Sequence, residues 1–145
     1  MQVFTVKEPD IKDFMQHLFT LDTFFDFEVR GIVIHSFTHF EISGQGEEGG
    51  HCLWEEVMPY VRNILKGKKK PRTMKIILAR ANPETLHPNA AALFVNIIYE
   101  EDKITCTTAC SQREFELNKA VDNEWDRWIL EFFQSKGVTI SLQQP

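Results

Sequence analysis

Residues 93–110, which read LFVNIIYEEDKITCTTAC, decide the fold class. Two runs rich in β-branched and aromatic residues, 93–99 and 103–110, flank the acidic triplet 100–102. Runs of this composition predict strands, and the short polar connection between them predicts a hairpin. Because a hairpin joins antiparallel strands, the sequence predicts an antiparallel sheet.

Several further segments have the composition of strands and widen the predicted sheet. They lie at residues 1–6, 24–43, 74–79, 113–117 and 138–142. The second of them is too long for one strand, so we expect two antiparallel strands with a bend near residues 36–39. In a strand every second side chain faces the core. In this segment that alternation shifts by one residue around Gly31, which predicts a β-bulge there.

Three apolar stripes at helical spacing predict helices packed on the sheet. The first follows Pro9 and covers residues 11–19. The second covers residues 53–65 and contains Pro59, which predicts a kink or a late helix start. The third follows Asn118, a good N-cap residue. Together the elements predict an α+β fold, a largely antiparallel sheet of about seven strands with three helices.

The composition indicates a single domain over residues 1–145. The chain is 43% hydrophobic and 12% aromatic, too much for a disordered polypeptide, and its length suits one domain. Its three cysteines cannot complete a paired disulfide framework. Since no signal peptide and no membrane-spanning stretch is recognisable, we expect a cytoplasmic protein.

One segment is strongly basic, although the net charge is −5 from 21 acidic and 16 basic residues. Its candidate nucleic-acid contacts are Lys66, Lys68, Lys69, Lys70 and Arg72. Such a run attracts a phosphate backbone. A solvated turn at the C-terminus of a helix explains the same residues. We favour the turn because no aromatic residue is interleaved for base stacking.

The reactive residues form no complete catalytic motif. The glycine-rich segment 44–50 lacks the Lys-Ser/Thr pair of a phosphate loop, and no Gly-x-Ser-x-Gly elbow occurs. Cys106 and Cys110 would face one side of a strand, about 13 Å apart, too far to share a metal ion. We therefore expect neither a metal ion nor a cofactor.

Two histidines leave one alternative open. His35 and His39, with Glu41 nearby, are residues of the type that binds transition metals. In an extended strand the two histidines are too far apart, unless the bend falls between them. We therefore favour ordinary half-exposed strand histidines. The alternative is a metal-dependent enzyme that uses His35 and His39 with Glu41, His51 or Cys52.

Four short strings together carry a resemblance to a known family. They are MQVF at 1–4 with the helix at 11–18, LWEE at 53–56, ITCTT at 104–108 and NEWD at 123–126. With them the chain resembles a family of short bacterial proteins classed only as a domain of unknown function. The resemblance covers nearly the whole chain and implies no catalytic residues.

A second resemblance concerns the order of the elements. A strand, a helix, two strands around VRGIVI at 29–34, a second helix and a strand meander are similar to one repeat of a DNA sliding clamp. In clamps the helices of each repeat line a basic hole around DNA. Here the basic excess lies after the second helix, and the helix that follows Asn118 has no place in that pattern.

Three hypotheses for the function follow. We prefer a non-catalytic binding or assembly module of the bacterial cytoplasm, with an unidentified protein partner or self-association. Trp54, which we expect to be partly exposed, is the candidate contact for a partner. The alternatives are a clamp-like protein associated with nucleic acid through the basic segment, and the metal-dependent enzyme described above.

Overall fold

The computed structural model describes residues 1–67 and 70–143 of the chain. The strands in those residues are β1 (Val3–Val6), β2 (Phe27–His35), β3 (His39–Ile42), β4 (Thr73–Arg80), β5 (Ala90–Glu100), β6 (Lys103–Gln112) and β7 (Ser141–Leu142). The helices are α1 (Ile11–Phe19), α2 (Trp54–Leu65) and α3 (Ala120–Ser135), with a short 3₁₀ turn at Pro83–Thr85. The predicted α+β class is confirmed.

All of these strands form one sheet in the order β3-β2-β4-β5-β6-β1-β7, and each neighbouring pair is antiparallel. The predicted hairpin joins β5 to β6, with Glu100 opposite Lys103. Between them, Glu101 and Asp102 have φ angles of 53° and 56°. Two successive left-handed residues are typical of a type I′ turn, whose twist suits the strands that it joins. Because β5 is the fourth strand in this order of seven, the hairpin contains the middle strand of the described sheet.

The segment 24–43 forms two strands, as predicted. A three-residue loop separates His35 at the end of β2 from His39 at the start of β3. The register of β2 against β4 shifts between Val29 and Gly31, which confirms the predicted bulge. The extra residue keeps the apolar side chains before and after the bulge on the core side.

The helices cover one face of the sheet and leave the other face open. On the covered face, alternate strand residues are buried. They include Ile32, Ile34, Ile76, Leu78, Val95 and Ile97. The open face carries a mixture of side chains, as in the cross-strand row Val33, Lys75, Ile98 and Thr105. The described helices are all too short or too polar to cross a lipid bilayer.

Trp54, the first residue of α2, is fully buried, so its expected partial exposure is wrong. Its Nε1 donates a hydrogen bond to the carbonyl oxygen of Leu18 at 2.7 Å, and its ring lies 5.8 Å from that of Phe19. The last carbonyls of a helix have no donor within the helix. Trp54 supplies one to α1, which explains its burial. The side chain belongs to the core and is not accessible as a partner contact.

Two other expectations are wrong. Of the kink or late helix start predicted at Pro59, the late start is wrong, since α2 begins five residues before the proline. The proline deprives only the carbonyl of Glu55, an exposed residue, of its helical donor. Residues 113–117 do not form a strand. The Asn89 side chain accepts from the N–H of Glu114 at 2.9 Å and donates to its carbonyl at 2.9 Å. It thereby occupies the backbone groups that a sheet would use.

Candidate functional site

A cleft of about 420 Å³ opens at one end of the helical layer. Its walls come from the connection between α1 and β2, the first turn of α2, the end of β4 and one flank of α3. Four aromatic and five charged side chains line it. The volume and the mixture of apolar and polar groups are typical of a site for a small organic ligand.

The aromatic wall of the cleft is built on α3. Trp128 and Phe132 stack with their ring centroids 5.2 Å apart and 13° between their planes, and Trp125 stacks on Trp128 at 5.3 Å and 14°. Spacings of three and four residues place all three rings along one edge of the helix. Phe27 meets Trp128 and Phe132 edge-on, at 6.3 and 5.3 Å. Because the rings hold one another in place, the wall is preformed.

Arg80, at the end of β4, places its guanidinium carbon 4.6 Å from the ring centroid of Trp128. Its Nη2 donates to the hydroxyl oxygen of Thr85 at 3.3 Å. Its Nη1 is shielded from solvent and has no hydrogen-bond acceptor among the described residues. Burial lowers the pKa of Arg80, but a guanidinium stays protonated at neutral pH. The cleft therefore contains a positive charge whose hydrogen bonding is incomplete.

The remaining charged lining consists of Asp22, Asp26, Glu55 and Lys136. The ion pairs within 4.0 Å that the described residues form lie elsewhere and leave these four groups and Arg80 unpaired. Three carboxylates therefore face two cations. Such a lining repels a polyanion and accommodates a single negative charge beside the arginine.

A row of polar side chains, two of them buried, lies beside the cleft. Nδ1 of His17 lies 2.7 Å from the hydroxyl oxygen of Thr23, and its Nε2 lies 3.8 Å from a carboxylate oxygen of Asp13. Both His17 and Thr23 are only 6% exposed. Carboxylate, imidazole and hydroxyl also occur in nucleophilic relays. Here the hydroxyl is inaccessible, and 3.8 Å exceeds a hydrogen bond, so the Asp13 oxygen has no hydrogen-bond partner among the described residues and no relay forms. The contact between His17 and Thr23 satisfies the two buried groups that it joins.

The loop between β2 and β3 brings the predicted histidines together. His35 and His39 are opposite each other across the two strands, and their Nδ1 atoms are 3.2 Å apart. A carboxylate oxygen of Glu41 lies 2.8 Å from Nε2 of His39. The backbone of His51 instead pairs with that of Gln45. Across residues 1–67 and 70–143, no three histidine, cysteine or acidic side chains are placed to hold one metal ion.

The predicted basic segment is described in part. Lys66, Lys70 and Arg72 are exposed, whereas Lys68 and Lys69 lie outside the described residues. Both interpretations, a solvated turn and a contact with phosphate, require these side chains to be exposed, so their exposure does not distinguish the two. The nucleic-acid role of the segment therefore stays a prediction.

The thiols of β6 are unsuited to nucleophilic chemistry. Cys106 is fully buried, and burial raises its pKa to about 12. The thiol of Cys110 donates to a carboxylate oxygen of Asp122 at 3.0 Å. Burial, and then the hydrogen bond and charge of Asp122, raise the pKa of Cys110 to about 12. Both thiols are thus protonated at neutral pH, whereas a nucleophile needs the thiolate.

Sequence reasoning missed both Arg80 and Trp128 as residues of a site. Trp128 is half-buried and lines the cleft. The sequence of β4 could have indicated Arg80. Met74, Ile76 and Leu78 face the core at a spacing of two residues, and Arg80 follows at the same spacing and so lies on the same face. A charged residue on the inward parity of a strand indicates a special environment.

These features define a two-layer α+β protein with an aromatic, arginine-containing cleft at one end of its helical layer. The chain belongs to the family of unknown function DUF5721, whose model matches residues 9–141. The resemblance to an uncharacterised family is thereby confirmed. No curated protein and no solved structure matches the chain.

Proposed function

We propose that the protein is a non-catalytic binding module whose cleft holds a small organic anion with a flat, apolar body. The observation that carries the proposal is the guanidinium of Arg80, stacked on Trp128 with one nitrogen lacking an acceptor. A planar guanidinium matches a carboxylate in geometry and charge. A ligand carboxylate would supply the missing acceptor after a small rotation of the arginine side chain.

The other walls restrict the body of the ligand. The rings of Phe27, Trp128 and Phe132 offer apolar and aromatic surface, which favours an aromatic or flat aliphatic group. A cleft of about 420 Å³ accepts a molecule of small-metabolite size. These features support a monocarboxylate such as an aryl carboxylate.

The acidic rim sets the charge of the ligand. Asp22, Asp26 and Glu55 would repel a second or third negative charge on the bound molecule. This argues against nucleotides and other polyphosphates. The same carboxylates attract an ammonium group, so a zwitterion with an aromatic side chain is compatible with the cleft.

Isothermal titration calorimetry with benzoate, indole-3-acetate, benzamide and ATP tests the proposal. We expect the two carboxylates to bind more tightly than the uncharged amide and the polyanion. Arg80→Gln should weaken carboxylate binding about 10- to 150-fold, since a hydrogen bond to a charged group is worth about 1.5–3 kcal/mol. Arg80→Lys keeps the charge but loses the planar fork, and should retain part of the affinity.

Arg72→Gln is the matched control. Arg72 is exposed and directly precedes β4, eight residues before Arg80 and roughly 25 Å from it along an extended chain. It should bind the carboxylates like the unaltered protein. Folded Arg80→Gln that binds as tightly as the control would refute the assignment, and so would the absence of binding by both carboxylates at 10 mM.

The other hypotheses keep their status as predictions. The assembly role is not supported by Trp54, since that side chain is buried. The clamp-like alternative relies on the basic segment, of which Lys66, Lys70 and Arg72 are exposed. The metal-dependent enzyme needs a third ligand beside His35 and His39, and the described residues place none there.

A further inference from the structure

The histidine pair of the β2–β3 hairpin is a separate site from the cleft. His35 and His39 are cross-strand partners on the open face of the sheet. Their ring centroids are 4.4 Å apart, and the two Nδ1 atoms are 3.2 Å apart. At this distance the two nitrogens share one proton in a hydrogen bond, and a metal cation can replace that proton.

Glu41 determines which nitrogen of His39 is free. A carboxylate oxygen of Glu41, 2.8 Å from Nε2, accepts a hydrogen bond from that nitrogen. The proton of the neutral ring is thus held on Nε2, and Nδ1 presents its lone pair to His35. A carboxylate that fixes the tautomer in this way is the usual companion of a metal-binding histidine.

The spacing of the two nitrogens suits coordination of one ion. With metal–nitrogen distances of about 2.0–2.1 Å, two imidazoles are separated by roughly 2.9 Å in cis square-planar geometry and about 3.3 Å in tetrahedral geometry. The observed 3.2 Å lies between these values. Binding requires only that the Nδ1 proton of neutral His35 move to its Nε2, so no proton is lost overall.

The backbone holds the pair in position. The carbonyl oxygen of His35 accepts from the N–H of Arg72 at 2.8 Å, and the N–H of Ser36 donates to the carbonyl oxygen of Thr38 at 2.9 Å. β2 is also paired with β4 on its other side, with His35 opposite Thr73. Because these contacts fix the backbone of the hairpin that carries both histidines, little ordering of the backbone is needed on binding.

We propose that His35 and His39 form a solvent-accessible, two-imidazole site for a divalent first-row transition metal ion such as Zn²⁺ or Cu²⁺. Imidazole suits these ions, whereas Mg²⁺ and Ca²⁺ prefer oxygen ligands. The side chain of His39 is 47% exposed, so water can fill the remaining coordination positions. With two protein ligands the ion is exchangeable, which fits a binding site rather than a buried structural one.

Calorimetric titration of the full, untagged chain with Zn²⁺ tests the proposal, and electron paramagnetic resonance with Cu²⁺ counts the coordinating nitrogens. We expect one ion per chain and two imidazole nitrogens on Cu²⁺. His35→Ala and His39→Ala should each weaken Zn²⁺ binding at least tenfold. Glu41→Gln should weaken it about 10-fold or more, because a second-shell partner contributes about 10- to 100-fold.

His87→Ala is the matched control, since His87 lies in a loop outside the hairpin, where its Nδ1 accepts from the N–H of Asn89 at 3.0 Å. It should bind Zn²⁺ like the unaltered chain. Far-UV circular dichroism checks that every variant folds. The proposal is refuted if folded His35→Ala and His39→Ala bind as tightly as the control, if the Cu²⁺ spectrum shows no nitrogen ligands, or if Mg²⁺ displaces Zn²⁺ at equal concentration.

Discussion

Replacement of Trp54 by phenylalanine tests the account of how α1 and α2 are joined. Trp54 is fully buried, and its Nε1 donates to the Leu18 carbonyl at 2.7 Å. Nearby, Arg62 donates to the Phe19 carbonyl at 3.0 Å, so α2 caps the C-terminus of α1 twice. Trp54→Phe preserves a ring for contact with Phe19 but removes one of the two caps and part of the packed volume.

The expected loss of stability follows from these two changes. A buried carbonyl that loses its donor costs about 1–3 kcal/mol. The smaller ring leaves a void, which we put at about 1 kcal/mol from large-to-small substitutions in cores. Together they lower the free energy of unfolding by about 2–4 kcal/mol. For a chain of this length that corresponds to a decrease in Tm of about 5–15 °C.

Urea denaturation followed by far-UV circular dichroism measures the loss without relying on tryptophan fluorescence. Trp128→Phe is the matched control, because Trp128 is half-buried and its stacking on Phe132 survives in a phenylalanine. We expect that control to lose at most about 1 kcal/mol. Equal losses in the two variants, or a loss below about 1 kcal/mol in Trp54→Phe, would refute the role of the indole N–H.

Two further predictions concern Cys106 and the basic segment. Burial raises the pKa of Cys106 from 9.0 to about 12, so the unfolded chain loses this proton first. The free energy of unfolding should therefore fall between pH 9 and 12, by up to about 1.4 kcal/mol per pH unit. Cys106→Ala should have a shallower decline, and an identical one would contradict the shift. For the basic segment, fluorescence anisotropy with duplex DNA should detect salt-sensitive binding that is lost when Lys68, Lys69, Lys70 and Arg72 become glutamine; no binding at low salt would eliminate the clamp-like alternative.

The sheet could be predicted because its signals are local. Alternation and β-branched composition marked both strands of the β5–β6 hairpin, and the acidic connection marked its turn. The bulge at Gly31 also left a local trace, as a change of parity. The predicted strand at residues 113–117 does not form, because a side chain distant in sequence binds its backbone. Asn89 binds the backbone of Glu114 and ends β6, and nothing near residue 114 indicates this.

The burial of side chains that carry a polar atom on an aromatic ring was harder to predict than the positions of the strands. Trp54 and His17 both fall at positions where the local pattern allows exposure. Each is buried because another element supplies its hydrogen-bond partner, the Leu18 carbonyl for Trp54 and the Thr23 hydroxyl for His17. An indole or imidazole can enter a core only when such a partner is present. The partner is fixed by tertiary structure, which the periodicity of one segment does not contain.

The candidate sites differ in how far the sequence revealed them. His35, His39 and Glu41 lie within seven residues, so their chemistry was visible, and only the position of the bend was open. The cleft brings Arg80 onto Trp128, 48 positions along the chain. Neither residue belongs to a motif, and their contact depends on how α3 lies across the end of β4. Long-range packing of this kind has no signature in a single sequence.

The two proposed sites are independent of each other. Both lie on the antiparallel pair of β2 and β4, but at opposite ends, since Phe27 pairs with Arg80 whereas His35 pairs with Thr73. Eight residues of strand separate the ends by about 26 Å. Arg80 also lies on the covered face and His35 on the open face. At such a separation, with no shared partner, effects of substitution are additive, so failure of one site leaves the case for the other unchanged.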